Sequence, residues 1–200
     1  MKLILASGSP RRRELLTQVG AVFEVEKSDV EELTDPSWSP KETVRHLAEI
    51  KALAVAQKHE EGIVLGADTV VVDGDKVLGK PEDKEDAKAM LKGLSGRSHE
   101  VMTAVVLVDA SGEKPLWGSV ETTKVKFKTL SDEEIEAYVL TGESMDKAGA
   151  YGIQGYGALL VEQLEGCYFN VVGLPLVKTA EGLKKFGIDL YRFPSDSESK

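Results

Sequence analysis

The chain has 200 residues, of which 42% are hydrophobic and 30% are charged. This balance is typical of a globular chain that buries about 70% of its unfolded surface, and it excludes a disordered or fibrous protein. The single cysteine, Cys167, excludes an intramolecular disulfide and a zinc cluster built on cysteines. The net charge of −9 argues against general attraction to nucleic acid or to an anionic membrane, so an anionic ligand would need a locally basic cleft.

Strand and helix signals alternate along the chain. The predicted order is a strand at 3–6, a helix at 10–20, a strand at 22–25, a helix at 40–59, strands at 63–72 and 76–78, a helix at 84–94, strands at 100–108 and 119–129, a helix at 131–141, a strand at 158–162 and a helix at 175–186. The apolar run 63–72 predicts a central strand that is buried on both faces. This alternation favours an α/β or α+β fold with a mixed sheet.

The ends of the chain also carry information. No apolar run approaches the roughly 18 residues that a membrane-spanning helix needs. The apolar stretch 3–6 precedes the basic cluster 11–13, which is the reverse of the order in a secretory signal, so we expect a cytoplasmic protein. The polar end, 191–200, is expected to fray and to leave one domain over 1–190.

Three arginines crowd the start of the first predicted helix, in the segment SGSPRRR (7–13). The helix dipole favours anions there, so the cations are misplaced unless an anion binds between them and the free backbone N–H groups. Ser7 and Ser9 would add hydroxyl donors. Arg12 precedes the apolar stripe of this helix by one turn and should face inward, whereas Arg13 should face solvent. A solvated basic turn is the alternative.

Two charged residues lie in segments that should be buried. Lys51 falls in the apolar stripe of the predicted helix 40–59, where its stem either covers the core or directs its ammonium group to a phosphate. Asp68 lies inside GIVLGADTVVV, and a buried carboxylate is costly unless it is paired or binds a metal. A turn or a structural ion pair is the alternative to a general base or a metal ligand at Asp68.

The segment DKAGAYGIQGYG (146–157) has four glycines in nine positions, which suits a loop whose backbone approaches a ligand. Gln154 carries an amide donor and acceptor that could read the edge of a base. A tight connection between strands would have a similar composition. Lys80 sits in a Gly-Lys-Pro turn after the Asp68 strand, and the acidic cluster that includes Glu32 is either a solvated face or a source of oxygen ligands for Mg²⁺.

Other chemistries have little support. The chain contains no P-loop, no dinucleotide-binding GxGxxG after a strand and no GxSxG nucleophile elbow. Its three histidines are scattered, and Cys167 has no evident activating partner.

Taken in order, these segments resemble the Maf family of nucleoside triphosphate pyrophosphatases, which was once linked to inhibition of septum formation. The resemblance runs from position 3 to about 188 through LILASGSPRRREL, GADTVVV, LGKP, LSGRSHEV, MDKAGAYGIQGYGALLV and NVVGLPL. It implies an ITPase-like fold with two lobes around a cleft. It also implies hydrolysis of a nucleoside triphosphate to the monophosphate and pyrophosphate with a divalent metal, Mg²⁺ or Mn²⁺.

The resemblance assigns roles to residues of this chain. By the family pattern Asp68 is the proton acceptor that activates water, and Glu32, Lys51 and Lys80 match active-site positions. Asp68 and Glu32 together would hold the metal. Three positions separate substrate classes in the family, and here they match the dTTP/UTP group: Arg11, Thr69 and Gln154. The basic set Arg11, Arg12, Lys51 and Lys80 suits a triphosphate, which carries about four negative charges.

The expected partner is therefore a small-molecule nucleoside triphosphate, with modified pyrimidine nucleotides as additional substrates, and the family often forms homodimers. Neither nucleic acid nor a membrane is expected to bind. Two alternatives stay open at this point. One is a nucleotide-responsive regulator of septum formation whose hydrolysis is incidental, and the other is a different phosphohydrolase that releases orthophosphate.

Overall fold

The computed structural model describes residues 2–191, and its core is a seven-stranded sheet. The strands are β1 (Leu3–Leu5), β2 (Glu24–Val25), β3 (Ile63–Asp73), β4 (Lys76–Leu78), β5 (Ser98–Asp109), β6 (Trp117–Phe127) and β7 (Val161–Glu165). The helices are α1 (Pro10–Gln18), α2 (Pro40–Ala56), α3 (Lys84–Leu94), α4 (Asp132–Leu140), α5 (Tyr168–Val172) and α6 (Leu176–Lys185). None of the helices within 2–191 is long and apolar enough to cross a bilayer.

The sheet is mixed, as the alternation of elements predicted. Its order is β2-β1-β3-β5-β6-β7, with β4 added to β3. The pairs β1–β2 and β1–β3 are parallel, and the other pairs are antiparallel. Strand β5 covers one edge of β3, while β1 and β4 share the other edge at opposite ends, opposite 63–65 and 71–73. Within residues 2–191, positions 66–70 of β3 therefore have no strand partner on that edge.

Two lobes form because the long strands β3, β5 and β6 run through two separate apolar clusters. On the odd-numbered face of β3, Leu65 and Ala67 pack with residues of α1 and α6, whereas Val71 packs with residues of α3 and α4. On the even-numbered face, α2 packs against a third cluster that includes Val64 and Val70. The gap between the first two clusters lies at position 69, beside the open edge of β3.

Three helices begin after a serine, and only two of those serines cap their helix. Ser39 and Ser131 accept from the backbone N–H groups of Glu42 and Glu134 in complete capping boxes, and the second box is the one that the sequence predicts. Ser9 precedes α1 in the same way but makes no side-chain capping bond. The first turn of α1 is thus left open to another hydrogen-bonding partner.

Two local predictions were wrong. The segment predicted as a strand at 158–162 forms a 3₁₀ turn over Gly155–Leu159, and β7 begins later, at Val161. The 3₁₀ turn extends to Leu159, inside the expected strand, so only residues 161–162 of that strand are extended as expected. Helix α5 was not predicted, because five residues without a side-chain cap carry too weak a periodic signal. Of the tail expected to fray at 191–200, residues 192–200 lie outside the described part.

Candidate active site

A cleft of about 1030 Å³ opens over the unpaired edge of β3. All ten residues that the sequence analysis selected line it, although they come from widely separated parts of the chain: Ser7, Ser9, Arg11, Arg12, Glu32, Lys51, Asp68, Thr69, Lys80 and Gln154. The structure thus brings the whole predicted set together. Their individual roles stay predictions.

An ammonium group bridges two carboxylates at the floor of the cleft. The Nζ atom of Lys51 lies 2.6 Å from Oδ1 of Asp68 and 2.8 Å from Oε1 of Glu32. The side chains of Lys51 and Asp68 are only 13% and 12% exposed, whereas Glu32 is 54% exposed at the rim. Lys51 is therefore more than a stem lying over the core, and Glu32 is the member of the acidic cluster that reaches the cleft.

Close packing of α2 on β3 makes this bridge geometrically accessible. Gly66 lies on the same face of β3 as Asp68, and a Cβ atom there would collide with the carbonyl oxygen of Ala48 and lie 2.8 Å from the Cβ of Ala52. The helix backbone approaches the strand at this glycine because it has no side chain. Lys51, one turn along α2 from Ala48, is thereby held opposite Asp68.

Burial changes the proton affinity of Asp68. Desolvation raises the pKa of its carboxyl above the ordinary value, and the positive charges of Lys51 and Arg12 oppose that rise. Opposition of this kind keeps a buried carboxylate ionisable while desolvation makes it a better proton acceptor. These properties suit a carboxylate that acts as a general base better than one that serves only in a structural ion pair.

The side chain of Arg12 has three fixed partners in the cleft. Its Nε donates to the carbonyl oxygen of Gly173 at 2.9 Å, Nη1 to Oγ of Ser7 at 3.2 Å and Nη2 to Oγ1 of Thr69 at 3.1 Å. Burial lowers the pKa of its guanidinium, but a guanidinium stays charged at neutral pH. Arg13 is exposed, as its position on α1 predicted. Each terminal nitrogen of Arg12 retains a second N–H for a ligand.

A buried polar chain continues behind Arg12, and the sequence analysis missed it. The hydroxyl of Thr69 lies 2.9 Å from that of Thr103 on the paired strand β5, and Thr103 donates to the carbonyl oxygen of Asn170 at 2.8 Å. The side-chain amide of Asn170 donates to the carbonyl oxygen of Val101 and to the hydroxyl of Thr123, both at 2.9 Å. The sequence signal for this polar chain was the presence of polar residues inside the apolar strand 100–108 and in the segment NVVGLPL.

The start of α1 forms one wall of the cleft. The backbone N–H of Ser9 donates to Oγ of Ser7 at 3.2 Å, and the Ser9 hydroxyl makes no capping bond to α1. Arg11 is partly exposed, and its Nη1 lies 3.7 Å from Oδ2 of Asp146 on the opposite wall. Serines, helix N–H groups and arginines thus face one space, which is the arrangement expected for an anion.

The far wall consists of the Gly-rich loop and the turn after β4. Lys80 is exposed, and within residues 2–191 it forms no ion pair. Gln154 is exposed at the N-terminus of the turn Gly155–Leu159. Six basic and four acidic side chains line the cleft, although the chain as a whole is acidic: Arg11, Arg12, Lys27, Lys51, Lys80 and Lys147, against Glu32, Asp68, Glu143 and Asp146. This local excess is what an anionic ligand requires.

Comparison with known proteins shows the family of this chain and a related fold. The model of the Maf-like protein family matches residues 2–186, so the chain belongs to the Maf family. Its curated relatives include the dTTP/UTP pyrophosphatase of Acetivibrio thermocellus, 53% identical over 96% of this chain and 98% of the relative. The dTTP/UTP pyrophosphatase of Clostridioides difficile is 50% identical, again over 96% of this chain and 98% of the relative.

Among solved structures, a HAM1 protein from Coxiella burnetii matches with a TM-score of 0.53 over 92% of this chain and 99% of the other. Its sequence identity is 14%, so the likeness concerns the fold alone. It confirms the expected two-lobed fold with a mixed sheet.

Proposed function

We propose that this protein hydrolyses dTTP and UTP to the nucleoside monophosphate and pyrophosphate, with modified pyrimidine nucleotides as further substrates. The observation that carries the proposal is the buried Asp68 carboxylate, held by Lys51 in a basic cleft at the open edge of β3. Support also comes from relatives that are at least 50% identical over nearly their whole length and are named dTTP/UTP pyrophosphatases.

In this proposal the charged residues of the cleft have different roles in the reaction. Asp68 accepts a proton from the water that attacks the α-phosphate, and pyrophosphate leaves. Arg12 and Lys51 lie beside Asp68 and hold the phosphates in place, which is the main catalytic demand of phosphoryl chemistry. Lys80 supplies further charge from the opposite wall, and Arg11 with the serines at 7 and 9 completes the phosphate contacts at the start of α1.

A divalent cation, Mg²⁺ or Mn²⁺, fits the carboxylates at the floor of the cleft. Oxygens of Asp68 and Glu32 converge on one positive charge, the Lys51 ammonium, and hard oxygen donors are the ligands that these metals prefer. Residues 2–191 hold no cluster of three or more metal-ligating side chains, so substrate phosphates and water would complete the coordination. When bound, the metal polarises the phosphoryl oxygens and lowers the pKa of the attacking water.

Lys51→Met should tighten binding of Mn²⁺ in the absence of nucleotide by about tenfold or more. The Lys51 ammonium occupies the position between Asp68 and Glu32 where the metal would bind. The metal and the ammonium would therefore compete until a bound triphosphate attracts the ammonium away from the carboxylates. The free Mn²⁺ signal in electron paramagnetic resonance at pH 8 measures the affinity. Lys27→Met is the matched control, because Lys27 lines the same cleft and, within 2–191, pairs with neither carboxylate. Equal or weaker Mn²⁺ binding in Lys51→Met would contradict the competition.

Gln154→Ala should reduce the preference for dTTP over dGTP more than it slows turnover. The amide of Gln154 is exposed at the cleft wall and makes no hydrogen bond to the rest of the described chain, so it is available to a base edge. Values of kcat/KM for dTTP, UTP and dGTP measure the effect. An unchanged ranking of the three substrates would remove Gln154 from base recognition.

The reaction itself is tested by assaying pyrophosphate and orthophosphate separately with Mg²⁺ or Mn²⁺ across dTTP, UTP, CTP, GTP, ATP and 7-methyl-GTP. Pyrophosphate from dTTP and UTP alone is the expected result. Orthophosphate as the product would refute the proposal. So would tight nucleotide binding with no turnover, which is the behaviour of a purely regulatory protein.

We further propose that one domain over 1–190 acts in the cytoplasm on free nucleotides rather than on nucleic acid or at a membrane. The net charge of −9 supports the exclusion of nucleic acid and anionic membranes, because an acidic chain does not attract them. Among the features described above, only the cleft has a local excess of basic side chains. A homodimer stays a prediction from the family.

A further inference from the structure

The turn that presents Gln154 is capped by a residue that is distant in sequence. Gln154 occupies the N-cap position of Gly155–Leu159, but its side chain makes no capping bond. The backbone N–H groups of the second and third residues, Tyr156 and Gly157, donate instead to Oε1 and Oε2 of Glu143 at 3.1 and 3.2 Å. One carboxylate thus satisfies both of the donors that a cap residue ordinarily serves.

The main chain of Glu143 is held in place by two hydrogen bonds. The backbone N–H of Glu143 donates to the hydroxyl of Thr141, just after α4, at 3.2 Å, and its carbonyl oxygen accepts from Nζ of Lys147 at 2.6 Å. On the other side, a Cβ atom at Gly155 would collide with Oε1 of Glu143. The carboxylate therefore fits against the turn through a glycine that leaves room for it, and the turn cannot shift without losing both hydrogen bonds.

External capping has a consequence for Gln154. A polar side chain that caps its own helix or turn has its polar atoms engaged by the backbone. Here the backbone donors are already occupied by Glu143, and the Gln154 amide remains exposed in the cleft without a partner in the described chain. The backbone at 154 is anchored while the side chain is uncommitted, which is the combination that recognition of a ligand requires.

We propose that Glu143 is a positioning residue for nucleobase selection, acting through the backbone of the turn on Gln154; this rests on the proposed hydrolysis of pyrimidine nucleotides. Glu143 touches neither the phosphates nor the reacting water in this assignment. Its loss should change which base is preferred and should leave the phosphate-binding side chains on α1 and β3 in place.

Glu143→Gln tests the proposal, because an amide keeps the size of the side chain but offers one acceptor where two are needed. The ratio of kcat/KM for dTTP to that for dGTP should fall by about tenfold. Glu143→Asp keeps both acceptor oxygens and should recover part of the ratio. Glu134→Gln is the matched control, since Glu134 caps α4 through the backbone N–H of Ser131 at 2.9 Å and does not line the cleft. The control should leave the ratio unchanged.

A double-mutant cycle separates positioning from a structural role. If Glu143 acts through Gln154, then Glu143→Gln should have little further effect on the ratio in a Gln154→Ala background. A ratio that is unchanged in Glu143→Gln would overturn the proposal. A uniform loss of kcat/KM for both nucleotides, or effects that multiply in the double variant, would also overturn it.

The dissociation constants of the α,β-methylene analogues of dTTP and dGTP provide a readout that does not depend on hydrolysis. If the wild-type protein releases no pyrophosphate, the proposed reaction fails, yet the ratio of these constants still tests Glu143. The expected result is a preference for the dTTP analogue that shrinks in Glu143→Gln. Equal binding of the two analogues by the wild-type protein would overturn the inference on Glu143 even if hydrolysis is found.

Discussion

Asp68→Asn should lower kcat for dTTP hydrolysis by about a thousandfold while nucleotide binding is retained. Asparagine has nearly the same size and can still accept a hydrogen bond from Lys51, but it cannot take a proton from water. The position is buried and desolvated, which raises the pKa of the aspartate and makes it a stronger base than an exposed carboxylate. Release of pyrophosphate measures turnover, and calorimetry with α,β-imido-dUTP measures binding.

The same strand offers a matched control for this substitution. Asp73, at the C-terminal end of β3, pairs with Arg97 at 2.7 Å and does not line the cleft. Asp73→Asn removes an equal charge from the same strand and should leave kcat near that of the wild-type protein. Near-wild-type turnover in Asp68→Asn would refute the assignment of a general base. Loss of turnover together with loss of nucleotide binding would indicate a damaged cleft instead.

Arg12→Met should reduce kcat/KM for dTTP by about a hundredfold or more and should also lower the melting temperature. The substitution removes a charge-assisted donor from the phosphate site. It also removes the Arg12 donor from three acceptors, the carbonyl oxygen of Gly173 and the hydroxyls of Ser7 and Thr69, of which Ser7 keeps the backbone N–H of Ser9 as a donor. Steady-state kinetics and thermal unfolding measure the two effects.

Two further substitutions serve as controls for Arg12→Met. Arg13→Met removes the same charge one residue away, but Arg13 is exposed and should matter little. Arg12→Lys restores a positive charge without the planar fork, so it should recover part of the affinity for phosphate and little of the stability. Similar small effects of Arg12→Met and Arg13→Met would favour the solvated basic turn that the sequence left open.

Local patterns were sufficient for most elements of the fold. The bounds of β4 and α3 were predicted as observed, and β3 was predicted to within one residue, because the alternation and capping of these segments depend on residues close in sequence. Where the local signal was short, the prediction failed. Five residues at α5 were missed, and residues 158–159, at the end of the 3₁₀ turn, were read as the beginning of a strand.

The candidate site could be predicted in part because its residues violate local rules. A carboxylate in an apolar strand, a lysine in an apolar helical stripe and cations at a helix N-terminus each cost free energy unless a partner compensates. Such costs are visible in the sequence, and they singled out Asp68, Lys51 and Arg12. Thr103 gave only a weaker signal, one hydroxyl inside an apolar strand, and Glu143, which lies in a polar segment, gave none.

By itself, the sequence determined the mixed α/β class, most of its elements and the charged residues that needed partners, since these follow from patterns spanning a few residues. Only the tertiary structure decided which residues these charged side chains contact. Arg12 is bonded to Thr69 and Gly173, which are 57 and 161 residues away, and the carboxylate that caps the Gln154 turn lies 13 residues from Tyr156. Contacts at such separations are created by chain topology, here the gap that β1 and β4 leave along the edge of β3, and a local pattern does not contain them.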